Sequence, residues 1–303
     1  GVSTGTYYPP AAAASTEEII EACRPLSGSG AVFATHMRDE GDHVMRSLDE
    51  TFRIGRELQV PVVVSHHKVT GDNNWGRSRE TLGRIAEAMQ GQAVCLDCYP
   101  YTAGSTMLHN DPARLRGKVL IAHSTPHPEM AGRVLAEIAS EWGVDLLEAV
   151  RRLQPASAIY FMMDEPDVQR ILGFEATMVG SDGIPLGERP HPRLWGTFPR
   201  VLGRYCRELN LFPLETAVWK MTGLTAANFG LGQRGTLVPG APADVVLFDA
   251  DTVIDRATYE DPMQPAAGIH LVLVNGQPVW RQGQATGARP GQVLRRERVG
   301  AAI

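Results

Sequence analysis

Four short apolar runs, each ending abruptly in polar side chains, alternate with segments of helical period, and this alternation confines the chain to an α/β architecture. Ala31-Val32-Phe33-Ala34-Thr35 stops at His36, and Pro61-Val62-Val63-Val64-Ser65 stops at His66-His67-Lys68. Ala93-Val94-Cys95-Leu96-Asp97-Cys98 runs into Tyr99-Pro100-Tyr101, and Thr177-Met178-Val179-Gly180 into Ser181-Asp182-Gly183. Continuous runs of this kind suit parallel strands buried on both faces. Between them, Ser15-Thr16-Glu17-Glu18 has capping-box spacing ahead of Ile19, Ile20 and Cys23. Val44, Leu48 and Phe52 recur every four residues, and Leu82, Ile85, Ala86 and Met89 lie on one helical face. Met130, Val134, Leu135, Ile138 and Trp142 form a further helical stripe. Strands separated by helices of this length predict right-handed βαβ units in a parallel sheet or barrel.

The pattern changes near Gly230. A turn-rich stretch, Arg234 to Gly240, leads to the strand-like Ala243 to Asp249 and then to Leu271-Val272-Leu273-Val274. Asn275-Gly276 between apolar runs predicts a hairpin into Pro278-Val279-Trp280. The expected organisation is an α/β unit over residues 1–231 and a small β domain over 232–303. A net charge of −5 argues against a nucleic-acid backbone or an acidic membrane surface as the main partner. No apolar run approaches the roughly 18 residues of a membrane span, and no signal peptide opens the chain. Four sparse cysteines without zinc-ribbon spacing point to a reducing cytoplasm. Cys95 and Cys98 spell C-x-x-C inside an apolar strand, a poor setting for a redox pair.

His36 and His66 each close an apolar run, with one helical pattern between them, so their strands can be neighbours about 4.8 Å apart. Both imidazoles then project from the rim where parallel α/β proteins place their sites. A hydrogen-bonded strand-end histidine is the ordinary reading of either alone, but two at matched positions favour a zinc site. Asp182 closes the last run and reaches the same rim, as a weak ligand, as a base for water, or as a turn aspartate. Lys68, Tyr99, Ser105 and Arg193 follow strand-like segments, and an arginine with hydroxyls can cradle a carboxylate. The remaining histidines read as structural or solvated. There is no G-x-x-x-x-G-K-[ST] and no H-E-x-x-H. Gly230, Gly232 and Gly235 spell G-x-G-x-x-G ahead of a strand rather than a helix, and Gly1 to Gly5 spells G-x-S-x-G ahead of prolines. Metal-assisted hydrolysis is the chemistry left standing.

Several blocks carry a specific resemblance: Gly1 to Pro10, Thr35 to Glu40, Ser65 to Lys68, Asp97 to Tyr101, Ser124 to Glu129, Gly180 to Gly183, His191 to Arg200 and Lys220 to Leu224. Together, from end to end, the chain resembles the D-aminoacylases (N-acyl-D-amino-acid deacylases), a zinc-dependent branch of the amidohydrolase superfamily. The resemblance implies a TIM-like (β/α)₈ barrel with a small β-sandwich, and hydrolysis of N-acyl-D-amino acids to a carboxylate and a free D-amino acid. It further implies that His36 and His66 are zinc ligands ending barrel strands five and six, and that Asp182 is the strand-eight general base. Tyr8, Lys68, Tyr99, Ser105 and Arg193 then hold the substrate and its α-carboxylate. The family's His-x-His pair and its metal-binding cysteine have no counterpart here, so the expected barrel is incomplete, covering about strands four to eight, and part of the sandwich is missing. A dihydroorotase- or hydantoinase-like amidohydrolase is the alternative, disfavoured because Gly1 to Pro10 holds no lysine to bridge two metals. A non-catalytic fragment is the third reading. The preferred side chain and acyl group are not legible, and a homo-oligomer is left open.

Overall fold

The computed structural model describes residues 1–296. Strand β1 (Val2–Gly5) is followed by helix α1 (Thr16–Cys23), strand β2 (Phe33–His36), helix α2 (Val44–Leu58), strand β3 (Val62–Val64), helix α3 (Ser78–Met89) and strand β4 (Val94–Cys98). The chain then leaves this regular alternation. Strands β5 (Ala103–Met107) and β6 (Val119–Ser124), helices α4 (Leu135–Trp142) and α5 (Leu146–Leu153), and strand β7 (Ala156–Phe161) form a separate unit. Helix α6 (Glu165–Gly173) leads back to strand β8 (Thr177–Val179). Helix α7 (Arg193–Arg200) continues as a π-helix over Val201–Glu208, and α8 (Leu214–Met221) and α9 (Gly223–Phe229) precede the tail strands. These are β9 (Val245–Phe248), β10 (Ile269–Val274), β11 (Gln277–Arg281) and β12 (Gln284–Ala285).

Five strands form a parallel sheet in the order β1-β2-β3-β4-β8. In register, Phe33 faces Val62 and Val62 faces Val94, which aligns the carboxyl ends of the strands. Val62, Val63 and Val64 are all buried, as a strand covered on both faces requires. On one face Leu48 and Phe52 of α2, Leu82 and Ile85 of α3, and Ile171 of α6 pack with Val62, Val64 and Leu96. On the other, Val63, Cys95 and Met178 meet Leu224 and Phe229 of α9. Alternate residues of each strand therefore serve two cores, which explains runs that never alternate with polar residues. Gly55 lets α2 approach closely, since a Cβ there would lie 2.2 Å from Cγ2 of Val62. Beneath the sheet, Lys220 is buried and donates from Nζ to the carbonyls of Phe174, Glu175 and Thr177, tying α8 to the start of β8.

The predicted N-cap of α1 is present, with Ser15 accepting from the Glu18 amide and Glu18 accepting from the Ser15 amide. The Met130 stripe is only partly helical. Met130 sits in a 3-10 turn, and α4 begins at Leu135, beyond the left-handed Gly132. Between β4 and β8 stands a three-stranded antiparallel sheet, order β5-β7-β6, that the sequence reading did not anticipate. Helices α4 and α5 cover it through Leu135, Ile138, Val150 and Leu153, giving it a core of its own. The tail is one four-stranded antiparallel sheet, order β12-β11-β10-β9, with Asn275 and Gly276 at the expected hairpin. Among the described residues it is a single layer. Val253, ahead of β10, is buried in the main core, and Asp255 pairs with Arg200 at 3.2 Å. No helix among the described residues is long and apolar enough to cross a membrane.

Candidate metal centre

The aligned strand ends gather their terminal side chains at one rim. His36 is the last residue of β2. His66 lies two residues beyond β3 in a left-handed conformation, φ +40°. Its amide donates to Oδ1 of Asp97 at 2.9 Å, and the His67 amide donates to the Asp97 carbonyl at 2.7 Å, so β4 fixes the exit from β3. The His36 and His66 rings are 4.4 Å apart, inclined at 70°. Glu40, buried in the turn that leads into α2, completes a group of ligand-type atoms all within 4.8 Å of one another.

The electrostatics of this group favour a cation. Burial lowers the His36 imidazole to about 3, chiefly against the pull of Glu40, so it is neutral near pH 7 and keeps a lone pair. Its Nε2 is buried without a hydrogen-bond partner, 3.6 Å from Oε2 of Glu40. A buried, neutral, unpartnered imidazole nitrogen beside a second imidazole suits a divalent metal such as zinc, and the Glu40 carboxylate adds negative charge beside them. Burial pushes the Glu40 carboxyl up, but Lys68, His36 and His66 together hold it below the ordinary carboxylate range. Lys68 Nζ sits 2.6 Å from Oε1 of Glu40 and donates to Nδ1 of His66 at 2.7 Å.

A second, anion-facing wall adjoins these residues. Arg193, at the start of α7, is 1% exposed and lies over the Tyr99 ring at 4.6 Å. Lys68 Nζ lies 5.5 Å from the same ring. Arg193 Nη2 pairs with Oδ2 of Asp182 at 2.9 Å and donates to the Ser105 carbonyl at 3.1 Å, while its Nε and Nη1 are buried without partners. Asp182 leaves β8 with φ +48°, and its side chain is 34% exposed. It is therefore bound to Arg193 and stands outside the His36–Glu40–His66 group. Ser105 contributes its main-chain oxygen, and its hydroxyl makes no hydrogen bond among the described residues. The Tyr8 hydroxyl accepts from Thr106 at 2.9 Å, with its ring 5.0 Å from His36.

The sequence reading gave no role to several neighbours. Glu40 stood within a quoted block, but a carboxylate in a polar run reads as solvated. Asp97 is half-buried, and desolvation pushes its carboxyl up. Gly180 is needed beside it, because a Cβ there would lie 2.7 Å from Oδ1 of Asp97. His191, read as structural or solvated, is buried and accepts the Arg193 amide at Nδ1 (2.9 Å) while Nε2 donates to the Ala103 carbonyl. Its position two residues before Arg193 was the available signal. The Tyr7 ring lies 4.8 Å from that of His36, with the Arg114 guanidinium 4.0 Å over it and His109 3.4 Å from its hydroxyl.

Several known proteins are similar to this chain over almost its whole length. The chain is 64% identical to D-aminoacylase of Alcaligenes xylosoxydans xylosoxydans, over 98% of this chain and 61% of that protein. A solved D-aminoacylase structure superposes with a TM-score of 0.95 at 64% identity, over 98% of this chain and 62% of the other. The N-acyl-D-glutamate deacylase of Bordetella bronchiseptica, solved with zinc and a phosphonate mimic of the tetrahedral intermediate, superposes at 0.92 with 51% identity, over 97% of this chain and 62% of that one. The chain thus spans about 60% of the length of the curated relatives it matches. With the amidohydrolase family profile also matching residues 58–280, from the end of α2 into β11, the chain belongs to the amidohydrolase family.

Proposed function

We propose that this protein hydrolyses the amide bond of N-acyl-D-amino acids, with zinc held by His36 and His66. The observation that carries the reading is the buried, unpartnered Nε2 of His36, facing His66 and Glu40 at the rim that also bears Arg193 and Asp182. When bound, zinc supplies Lewis-acid polarisation of a carbonyl and makes a water acidic enough to attack near neutral pH. The chain's own residues do the rest. Arg193 has Nε and Nη1 without partners, and these donors suit the α-carboxylate of a substrate, with Lys68, Tyr99, Ser105 and Tyr8 assigned to hold the same substrate. A carboxylate anchored there fixes which face of the α-carbon meets the rim, which is how position yields selectivity for one enantiomer. Asp182 takes the proton of the attacking water and returns it to the leaving nitrogen as the C–N bond breaks. The products are a carboxylate and a D-amino acid.

In this reading the parallel strands correspond to strands four to eight of a (β/α)₈ barrel, residues 1–231 to the catalytic unit and 232–303 to a small β domain of sandwich type. Residues 297–303 lie outside the described part of the chain. The four unpaired cysteines suit a cytoplasmic setting. The proposal involves a small-molecule substrate and no nucleic acid or membrane, and it leaves homo-oligomerisation to measurement. The test uses the full-length protein with paired N-acetyl-D- and N-acetyl-L-amino acids. Asp182→Asn lowers turnover of the D form by about 10²–10⁴-fold with zinc content unchanged. Near-normal turnover removes Asp182 from the base role, and equal use of both enantiomers or absence of zinc ends the reading.

A further inference from the structure

We propose that Glu40 is a positioning residue for the substrate carboxylate, acting through Lys68 rather than as a metal ligand; this rests on the reading of the site given above. The Glu40 and Lys68 side chains are only 5% and 7% exposed, with Oε1 and Nζ 2.6 Å apart. Isolated buried ion pairs add little to stability, because desolvation offsets their attraction, so a pair kept at the rim of a site calls for another reason. Here the reason is geometric. An ammonium has three donors: Glu40 takes one and, while His66 carries no metal, its Nδ1 takes a second, which leaves at least one for a ligand whether or not the imidazole is coordinated. Nζ is thus held 5.5 Å from the Tyr99 ring that Arg193 covers, so both cations approach one aromatic ring.

Glu40 itself is firmly placed. Its carbonyl accepts from the Thr70 amide at 2.8 Å, joining its turn to the segment that carries Lys68. The preceding Asp39 accepts from the Gly41 and His43 amides through Oδ1, both at 2.9 Å, and its own amide donates to Ser47 of α2. The Glu40 carboxylate approaches Lys68, His36 and His66, and its 2.6 Å contact with Lys68 is shorter than its 3.3 and 3.6 Å approaches to the imidazoles. Without that negative charge, a flexible four-carbon stem would bring its ammonium beside any divalent cation with nothing to hold it, and Lys68 would withdraw from the carboxylate position.

The test combines substrate binding, kinetics and metal content in the full-length protein. In metal-depleted protein, calorimetric titration with an N-acetyl-D-amino acid that wild type binds should show roughly ten-fold weaker affinity for Glu40→Gln, about the loss of one charge-assisted hydrogen bond. With zinc restored, the same variant raises KM by a similar factor with kcat little changed and zinc stoichiometry intact. Adding Glu40→Gln to Lys68→Met should produce no further loss, because the effect runs through Lys68. Glu40→Asp, which keeps the charge, should recover part of the affinity. Loss of zinc from Glu40→Gln, additive losses in the double variant, or no recovery in Glu40→Asp would each overturn the proposal. If wild type binds no N-acyl-D-amino acid, the reading of the site fails; if wild type binds and Glu40→Gln binds equally well, only the role of Glu40 is refuted.

Discussion

Replacing Gly55 by alanine sets two well-defined effects against each other. Gly55 sits in the middle of α2, and alanine at such a position ordinarily adds about 1 kcal/mol through helix propensity. Its Cβ, however, would stand 2.2 Å from Cγ2 of Val62 and 3.4 Å from the Val60 carbonyl oxygen. Carbon atoms in good contact lie about 3.5–4.0 Å apart, so well over an ångström of movement is needed. Val62 is wholly buried between Phe33 and Val94 in the sheet and has no room to yield. Overpacking of this kind costs about 1–3 kcal/mol, and a clash against an immobile strand belongs at or above the upper end. The net expectation is a loss of about 2 kcal/mol, near thirty-fold in the folding equilibrium. Urea denaturation of the full-length protein measures it as a lower midpoint at constant slope. Val62→Ala alone should also destabilise, by roughly 2–3 kcal/mol, but the double variant should cost clearly less than the two together, because the alanine methyl fills the space left by valine. A raised midpoint for Gly55→Ala, or a strictly additive cycle, would refute the claim that Gly55 sets the distance between α2 and β3.

Two further tests concern buried charge. His67 is fully buried, and burial, reinforced by Lys68, lowers its imidazole to about 4; His191 is held well below its ordinary value by burial and Arg193. Both stay neutral in the fold but take up a proton in the unfolded chain below about pH 6.5, so their contribution is complete above that pH and falls away as pH drops from about 6.5 towards 4. The slope is about 1.4 kcal/mol per pH unit for each histidine, so denaturation midpoints between about pH 7 and 5 should fall steadily, and less steeply in His67→Leu. A flat profile, or one rising towards acid, contradicts the assignment. Lys220→Met removes the ammonium that bridges the Phe174, Glu175 and Thr177 carbonyls and should cost about 2–4 kcal/mol; an unchanged midpoint would show that those carbonyls find other partners.

The parallel strands were legible because strands such as β3 serve two cores at once and so read as unbroken apolar runs. Their rim residues followed from the strand ends, which is how His36, His66 and Asp182 could be singled out. The unit formed by β5, β6 and β7 was not legible. Ala103-Gly104-Ser105-Thr106-Met107 has no apolar period, and its partners in β7 lie some fifty residues away, with Ser105 opposite Ile159. Pairing at that distance leaves no local mark. Glu40 was missed for a related reason: its meaning depends on Lys68, 28 residues further on, and only the fold brings the two charges together. The pairing of Asp182 with Arg193 was hidden because the sequence assigned each a separate partner, a water and a carboxylate, while in the fold they satisfy one another.

Two of the rim residues, His66 and Asp182, leave their strands in a left-handed backbone, φ +40° and +48°. Histidine and aspartate tolerate that region better than most, yet it still costs an L-residue about 1–2 kcal/mol that glycine would not lose. A screen that rewards only heat resistance should therefore keep returning to these two codons, enriching glycine there and discarding catalysis along with the imidazole or the carboxylate. Breeding a tougher version of this protein calls for selection on turnover in every round.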